Sequence, residues 1–161
     1  MSEAGAASEA VRDAALRLLA RREHTRRELA QKLARRGHDP GYVHPVLEAL
    51  AEEGLLDEGR FAEVFVRSRV ERGQGPVRIA QELRQRGVAD GVIDEVLEDA
   101  EVDWLAQARA VRERRFGAGV PADRREALRQ AQFLQRRGFT ADQVRAAAAA
   151  ADEDDERGPY G

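Results

Sequence analysis

Apolar residues return every three to four positions along this chain, and nowhere do they alternate with polar ones over the length of a strand. Val11, Ala15, Leu18 and Leu19 share one face of a helix expected over about Ser8 to Arg22. Thr25-Arg26-Arg27-Glu28 has the form of a capping box: the threonine hydroxyl accepts from a free backbone N–H, and the glutamate reaches back. It opens a second helix, about Arg26 to Arg36, with Leu29, Ala30 and Leu33 inward. Gly37 ends it, because glycine tolerates the left-handed cap conformation. Asp39-Pro40 supplies an N-cap and a first-turn proline for a third helix, which carries Val43, Val46, Leu47 and Leu50 and stops near Gly54.

The same pattern is then written twice more. Gly37, Gly87 and Gly138 each follow a helix with alanine seven residues earlier (Ala30, Ala80, Ala131), leucine four earlier (Leu33, Leu83, Leu134) and arginine one earlier (Arg36, Arg86, Arg137). Six residues after each lies Val43, Ile93 or Val144. A period near 50 residues predicts an all-α protein of three stacked three-helix repeats, at 8–54, 55–101 and 102–151. The middle repeat opens with a helix over Glu58 to Arg72, broken by Gly73-Gln74-Gly75-Pro76. The last helix is an alanine run, Ala146 to Ala151, which reads as a terminal repeat with little to pack against. Residues 152–161, acidic and then Gly-Pro, read as a disordered tail.

Composition explains why the core must be thin. Leu, Ile, Val and Phe together number 35 of 161 residues, and 29 more are alanine. Three small cores suit that supply better than one large one. Charge adds a second pattern. The net charge is only −3, but 12–36 carries +6, 37–59 carries −6, 60–88 carries +4, 89–108 carries −7 and 109–137 carries +6. The leading helices of each repeat are basic, and the third helices of the first two repeats are acidic. The cations are 26 arginines and one lysine, Lys32, with adjacent pairs such as Arg35-Arg36 and Arg114-Arg115. Clustered like charges repel until a partner of opposite sign arrives, so the basic faces fit a polyanion or an acidic protein surface.

Catalytic signals are missing. Without cysteine there is no disulfide, thiol nucleophile or thiolate metal site. His24, His38 and His44 have no partner at metal-ligand spacing, and the glycine loop at Gly73 lacks the Lys-Ser/Thr of a phosphate-binding loop. The aromatic residues sit mostly at core-like spacing. No run of about 18 apolar residues could span a membrane, and residues 1–10 have no signal pattern. The expectation is a cytoplasmic protein that is not an enzyme and needs no cofactor and no metal.

The middle repeat carries a more specific signal. Leu55-Leu56-Asp57-Glu58-Gly59-Arg60-Phe61-Ala62, then Phe65-Val66, Arg69 and Gly73-Gln74-Gly75-Pro76-Val77-Arg78-Ile79-Ala80-Gln81-Glu82-Leu83, resembles the RecX regulatory proteins of bacteria. The flanking repeats fit through Arg26-Arg27-Glu28-Leu29 to Gly37, and Gln132-Phe133-Leu134 to Gly138-Phe139, so the resemblance spans roughly residues 10–150. Gln74 departs from it, since the family often has an aromatic residue there. The resemblance implies an elongated, curved array. It also implies a monomeric regulator that binds the RecA recombinase and its filament on single-stranded DNA, restraining ATPase and strand exchange and so damping recombination and the SOS response. Arg60, Arg67, Arg69, Arg72 and Arg78 are then the leading contact candidates, with Arg60 equally suited to bridging neighbouring repeats. Arg21, Arg22, Arg26, Arg27, Arg124, Arg125 and Arg136 come second. The competing reading is a direct DNA binder of the helix-turn-helix type. It is disfavoured because the third helices carry Glu48, Glu52 and Glu53, or Asp94, Glu95, Glu98 and Asp99, which would repel phosphate. Weak direct DNA binding through the basic helices remains compatible with either reading.

Overall fold

The computed structural model describes residues 2–149. The expected tail at 152–161 and the last alanines of the final run lie outside the described residues. Those described form nine helices and no strand. They are α1 (Glu3–Arg21), α2 (Arg26–Arg35), α3 (Pro40–Glu52), α4 (Glu58–Glu71), α5 (Pro76–Gln85), α6 (Asp90–Asp99), α7 (Trp104–Phe116), α8 (Arg124–Arg137) and α9 (Ala141–Ala147). Two compact units contain them, one from residues 2–65 and 83–96, the other from 66–82 and 97–149. The helices α4, α5 and α6 of the middle repeat each contribute residues to both units.

In the first unit α1, α2 and α3 pack on one another around Val11, Ala15, Leu18, Leu29, Leu33, Val43, Leu47, Leu50 and Leu56. Leu29, Leu33, Leu47 and Leu50 are wholly buried, each contributing about 1.5–3 kcal/mol of burial free energy. Thr25 caps α2 as its sequence predicts: its side chain accepts from the Glu28 N–H at 3.1 Å, and Glu28 accepts from the Thr25 N–H at 3.3 Å. The first helix begins at Glu3 rather than Ser8, because Ser2 accepts from the Gly5 N–H at 3.0 Å and caps it there. Its first two turns bury little, so no apolar stripe announces them.

In the second unit α7, α8 and α9 pack around Ala108, Val111, Leu134, Phe139 and Val144. Thr140 and Gln143 form a second capping box at the start of α9, with bonds of 3.2 and 2.9 Å. The alanines of that last helix do find partners: Ala147 and Ala148 are buried in the same cluster.

Successive repeats meet at the carbonyls that end their second helices. In the first unit the Arg86 carbonyl accepts from the Thr25 hydroxyl at 2.7 Å. In the second unit the Arg137 carbonyl accepts from the Gly75 N–H at 2.8 Å, and the Gly138 carbonyl accepts from the Val77 N–H at 2.9 Å. A Cβ on Gly75 would run into the Gly138 carbonyl, so glycine is required by this close approach. Gly138 itself has φ +95°, and a Cβ there would overlap Arg78. The glycine loop that punctuates the middle repeat is a joint.

Candidate functional site

Three buried alanines align the opening helices of the repeats: Ala15, Ala62 and Ala108, all fully buried. Seven residues after each comes an arginine, Arg22, Arg69 or Arg115. Five residues before each helix-ending glycine comes Lys32, Glu82 or Phe133. These two positions decide what becomes of the basic residues around them.

In the middle repeat the arginine is neutralised. Arg69 Nε lies 3.2 Å from Glu82 Oε2, with the Arg69 side chain only 16% exposed, and Arg78 Nε lies 3.1 Å from Glu82 Oε1. Arg60, another leading candidate, is also engaged. Its Nε donates to Glu23 Oε1 at 3.1 Å, joining the second repeat to the first, and Asp57 lies 3.9 Å away. Phe61 is buried beside it and stacks on Phe65 with centroids 5.8 Å apart. Arg67 and Arg72 are exposed, with no carboxylate within 4.0 Å among the described residues.

Among the second-rank candidates, Arg22 pairs with Glu28 at 2.9 Å and Arg26 with Glu48 at 2.7 Å. Arg21, Arg27, Arg124, Arg125 and Arg136 have no carboxylate partner among the described residues. Arg21 belongs to a cleft of about 460 Å³ in the first unit, which it lines with Arg22, Lys32, Arg35, Arg36 and His24. Arg72 belongs to a cleft of about 240 Å³ in the second unit, lined also by Arg114, Arg115, Arg137 and Phe133. Sequence reasoning missed Arg35, Arg36, Arg114, Arg115 and Arg137 as members of these sites. Their adjacency in pairs was the available signal.

Three family models match the chain in order: the first, second and third three-helix domains of RecX, over residues 12–50, 57–97 and 101–147. The chain belongs to the RecX family. It is 47% identical over 135 residues to Regulatory protein RecX of Ectopseudomonas mendocina, covering 84% of this chain and 90% of that one. With Regulatory protein RecX of Acidithiobacillus ferrooxidans it shares 49% over 131 residues, 81% of this chain and 83% of the other. Two solved RecX structures share the fold. One, a crystal structure of regulatory protein RecX, has a TM-score of 0.77 at 23% identity, covering 89% of this chain and 72% of that one. The other, RecX from Lactobacillus salivarius, has a TM-score of 0.76 at 21% identity, covering 89% and 95%. RecX relatives are named as regulatory proteins and not as enzymes. No helix among the described residues is long and apolar enough to cross a membrane.

On this RecX chain the two clefts hold their cations differently. In the second unit Phe116 and Phe133 meet edge to face, 5.3 Å between centroids. Arg115 and Arg129 lie over Phe116 at 5.4 and 5.2 Å, and Arg137 over Phe133 at 5.3 Å. A guanidinium held over an aromatic face keeps N–H donors for an oxyanion, and Arg137 gives one of its own to the Arg72 carbonyl at 3.2 Å. The two phenylalanines are half-buried, so they are more exposed than their helical spacing implies.

In the first unit the lining is held by hydrogen bonds. His24 is 1% exposed. Its Nδ1 lies 3.0 Å from the Arg22 carbonyl, and its Nε2 lies 2.9 Å from Lys32 Nζ. A carbonyl only accepts and an ammonium only donates, so the ring is neutral, with its proton on Nδ1. Burial lowers the His24 pKa, with Arg22 and Lys32 adding to the effect, outweighing the bond to the Arg22 carbonyl. Lys32 is lowered too, first by burial and then by Arg22, Arg36 and Arg21. Glu28 is held below the ordinary carboxylate range by hydrogen bonds to Arg22 and Thr25 and by the charges of Arg22 and Arg86, which together outweigh its burial.

Proposed function

We propose that this protein binds the RecA recombinase and its filament on single-stranded DNA, inhibits the filament's ATPase and strand exchange, and so restrains recombination and the SOS response. The observation that carries this reading is the match to all three RecX domains in order along one chain. It acts in the cytoplasm as a monomer, without catalysis, through three repeats at 8–54, 55–101 and 102–151. The physical support is a set of arginines whose charge nothing in the described chain offsets, among them Arg67, Arg72, Arg124, Arg125 and Arg136. Arginine forks match both carboxylates and phosphates, the two anions a nucleoprotein filament displays.

Adding the protein to RecA on single-stranded DNA should slow ATP hydrolysis, and an unchanged rate at saturating protein would remove the proposal. Reversing Arg67 and Arg72 to glutamate should weaken the inhibition while leaving helix content intact. Arg69 belongs in a separate variant, since reversing it also sets a second carboxylate against Glu82.

A further inference from the structure

The first-unit cleft gathers more positive charge than the fold can use. Arg21, Arg22, Lys32, Arg35 and Arg36 line it, and Glu28, paired to Arg22, is the one carboxylate within 4.0 Å of any of them among the described residues. Helix C-termini favour cations, and α1 and α2 both end here. That accounts for one or two of the five charges. It does not account for Lys32, which lies a turn before the end of α2, is half-buried, and meets a buried imidazole in place of an anion.

Lys32 is also the one cation in the chain that is not arginine. An ammonium is a compact point charge with three donors. His24 takes one of them, and the Arg22 carbonyl fixes the ring that does so. Two donors remain, on a side chain already positioned.

We propose that this cleft binds vicinal phosphates: the chain of a compact polyphosphate, such as inorganic tripolyphosphate or the 5′-triphosphate of a nucleotide. The ligand has to bring three or four negative charges into about 460 Å³. A single strand of nucleic acid carries one charge per nucleotide, and each charge brings a sugar and a base with it. A polyphosphate carries the same charge on adjacent groups with nothing between them. Lys32 donates to bridging or terminal oxygens, while Arg36 and Arg21 clamp the ends bidentately. Leu18 and the stems of the arginines supply the apolar wall. This site is independent of the RecA reading, since it requires no recombinase.

The experiment is a titration of the full chain, without magnesium, with tripolyphosphate, pyrophosphate, orthophosphate and a short oligothymidylate, read by calorimetry and by the ¹⁵N shifts of the His24 ring. Tripolyphosphate should bind one to one, at least about tenfold tighter than orthophosphate or the oligonucleotide, and move the His24 signals. Lys32→Gln and Arg36→Gln should each weaken it by about tenfold or more, the scale of a lost charge-assisted hydrogen bond. Arg84→Gln, which removes a pair with Asp90 away from the cleft, should bind as the parent does. Either of two results overturns the proposal: oligothymidylate binding tighter than tripolyphosphate, or tripolyphosphate binding that leaves the His24 ring unmoved. The ring shifts are read on the unaltered protein, so the test stands even if a variant folds poorly.

Discussion

The first and middle repeats place arginines at matching positions, Arg22 and Arg69, each paired with a glutamate, and surround them differently. Around Arg69 the fold supplies Glu82, which also holds Arg78, so one carboxylate offsets part of the charge of both arginines. Around Arg22 it supplies Lys32 at the position matching Glu82, so Arg21, Arg35 and Arg36 gather round another cation. The third repeat takes a third course, with Phe133 stacking under Arg137. A count of basic residues per repeat would rank these three sites alike. What separates them is one neighbour on the second helix, which sets whether a guanidinium is spent on the fold or left for a partner.

Exchanging those neighbours tests the comparison. The largest effect should come from Glu82→Lys, which strips the shared carboxylate from two arginines, one of them largely buried. Unfolding in urea should show a loss of about 2–4 kcal/mol, toward the lower end of the cost of breaking a buried pair. Phe133→Lys copies the first repeat into the third. It should cost about 1–2 kcal/mol through the lost edge-to-face pair and the stacked arginine.

Acidification probes His24. Its folded pKa lies below the ordinary histidine value of about 6.5, which the unfolded chain keeps. The unfolded state therefore takes the proton first. The site's contribution is complete above about pH 6.5 and is lost as pH falls through the folded value. His24→Gln should flatten the stability profile in that window. Glu58, raised by burial, works in the opposite sense at lower pH, where the folded state takes up the proton first. Lys32→Glu should change stability by less than about 1 kcal/mol, because the anion it supplies to a partly exposed cluster is offset by the lost bond to His24. Arg84→Ala, which breaks an exposed pair outside both described clefts, should change stability by less than about 0.5 kcal/mol.

The architecture was legible because its signals are local. The Thr25 box, the proline after Asp39 and the glycine after each second helix act within a turn of where they stand. The Leu29–Leu33 and Leu47–Leu50 spacings declare a buried face, and both pairs are buried. The site was less legible because pairing is not local. Arg69 meets Glu82 on another helix, 13 residues along, and nothing in the run of residues distinguishes it from the exposed Arg67. His24 carried no readable role, since its partners are a carbonyl and a lysine and not metal-site residues. Arg112 stands at an apolar position, matching the buried Val66, and reads as a surface charge. It is 5% exposed, held by the Gly119 carbonyl at 2.9 Å and Gln130 at 3.2 Å.

The joint between Gly75 and Gly138 bears on how such a chain can change over evolutionary time. Two backbones touch there without an intervening side chain, so the connection does not depend on what neighbouring side chains happen to be. Any residue with a Cβ is excluded at the joint itself, whereas the first repeat is fastened to the second through side chains, Arg60 to Glu23 and Thr25 to the Arg86 carbonyl. Lysine, glutamate and phenylalanine stand at one matching position of the three repeats, away from the backbone contact itself. The joint acts as a pin through plates whose facing residue differs from one repeat to the next.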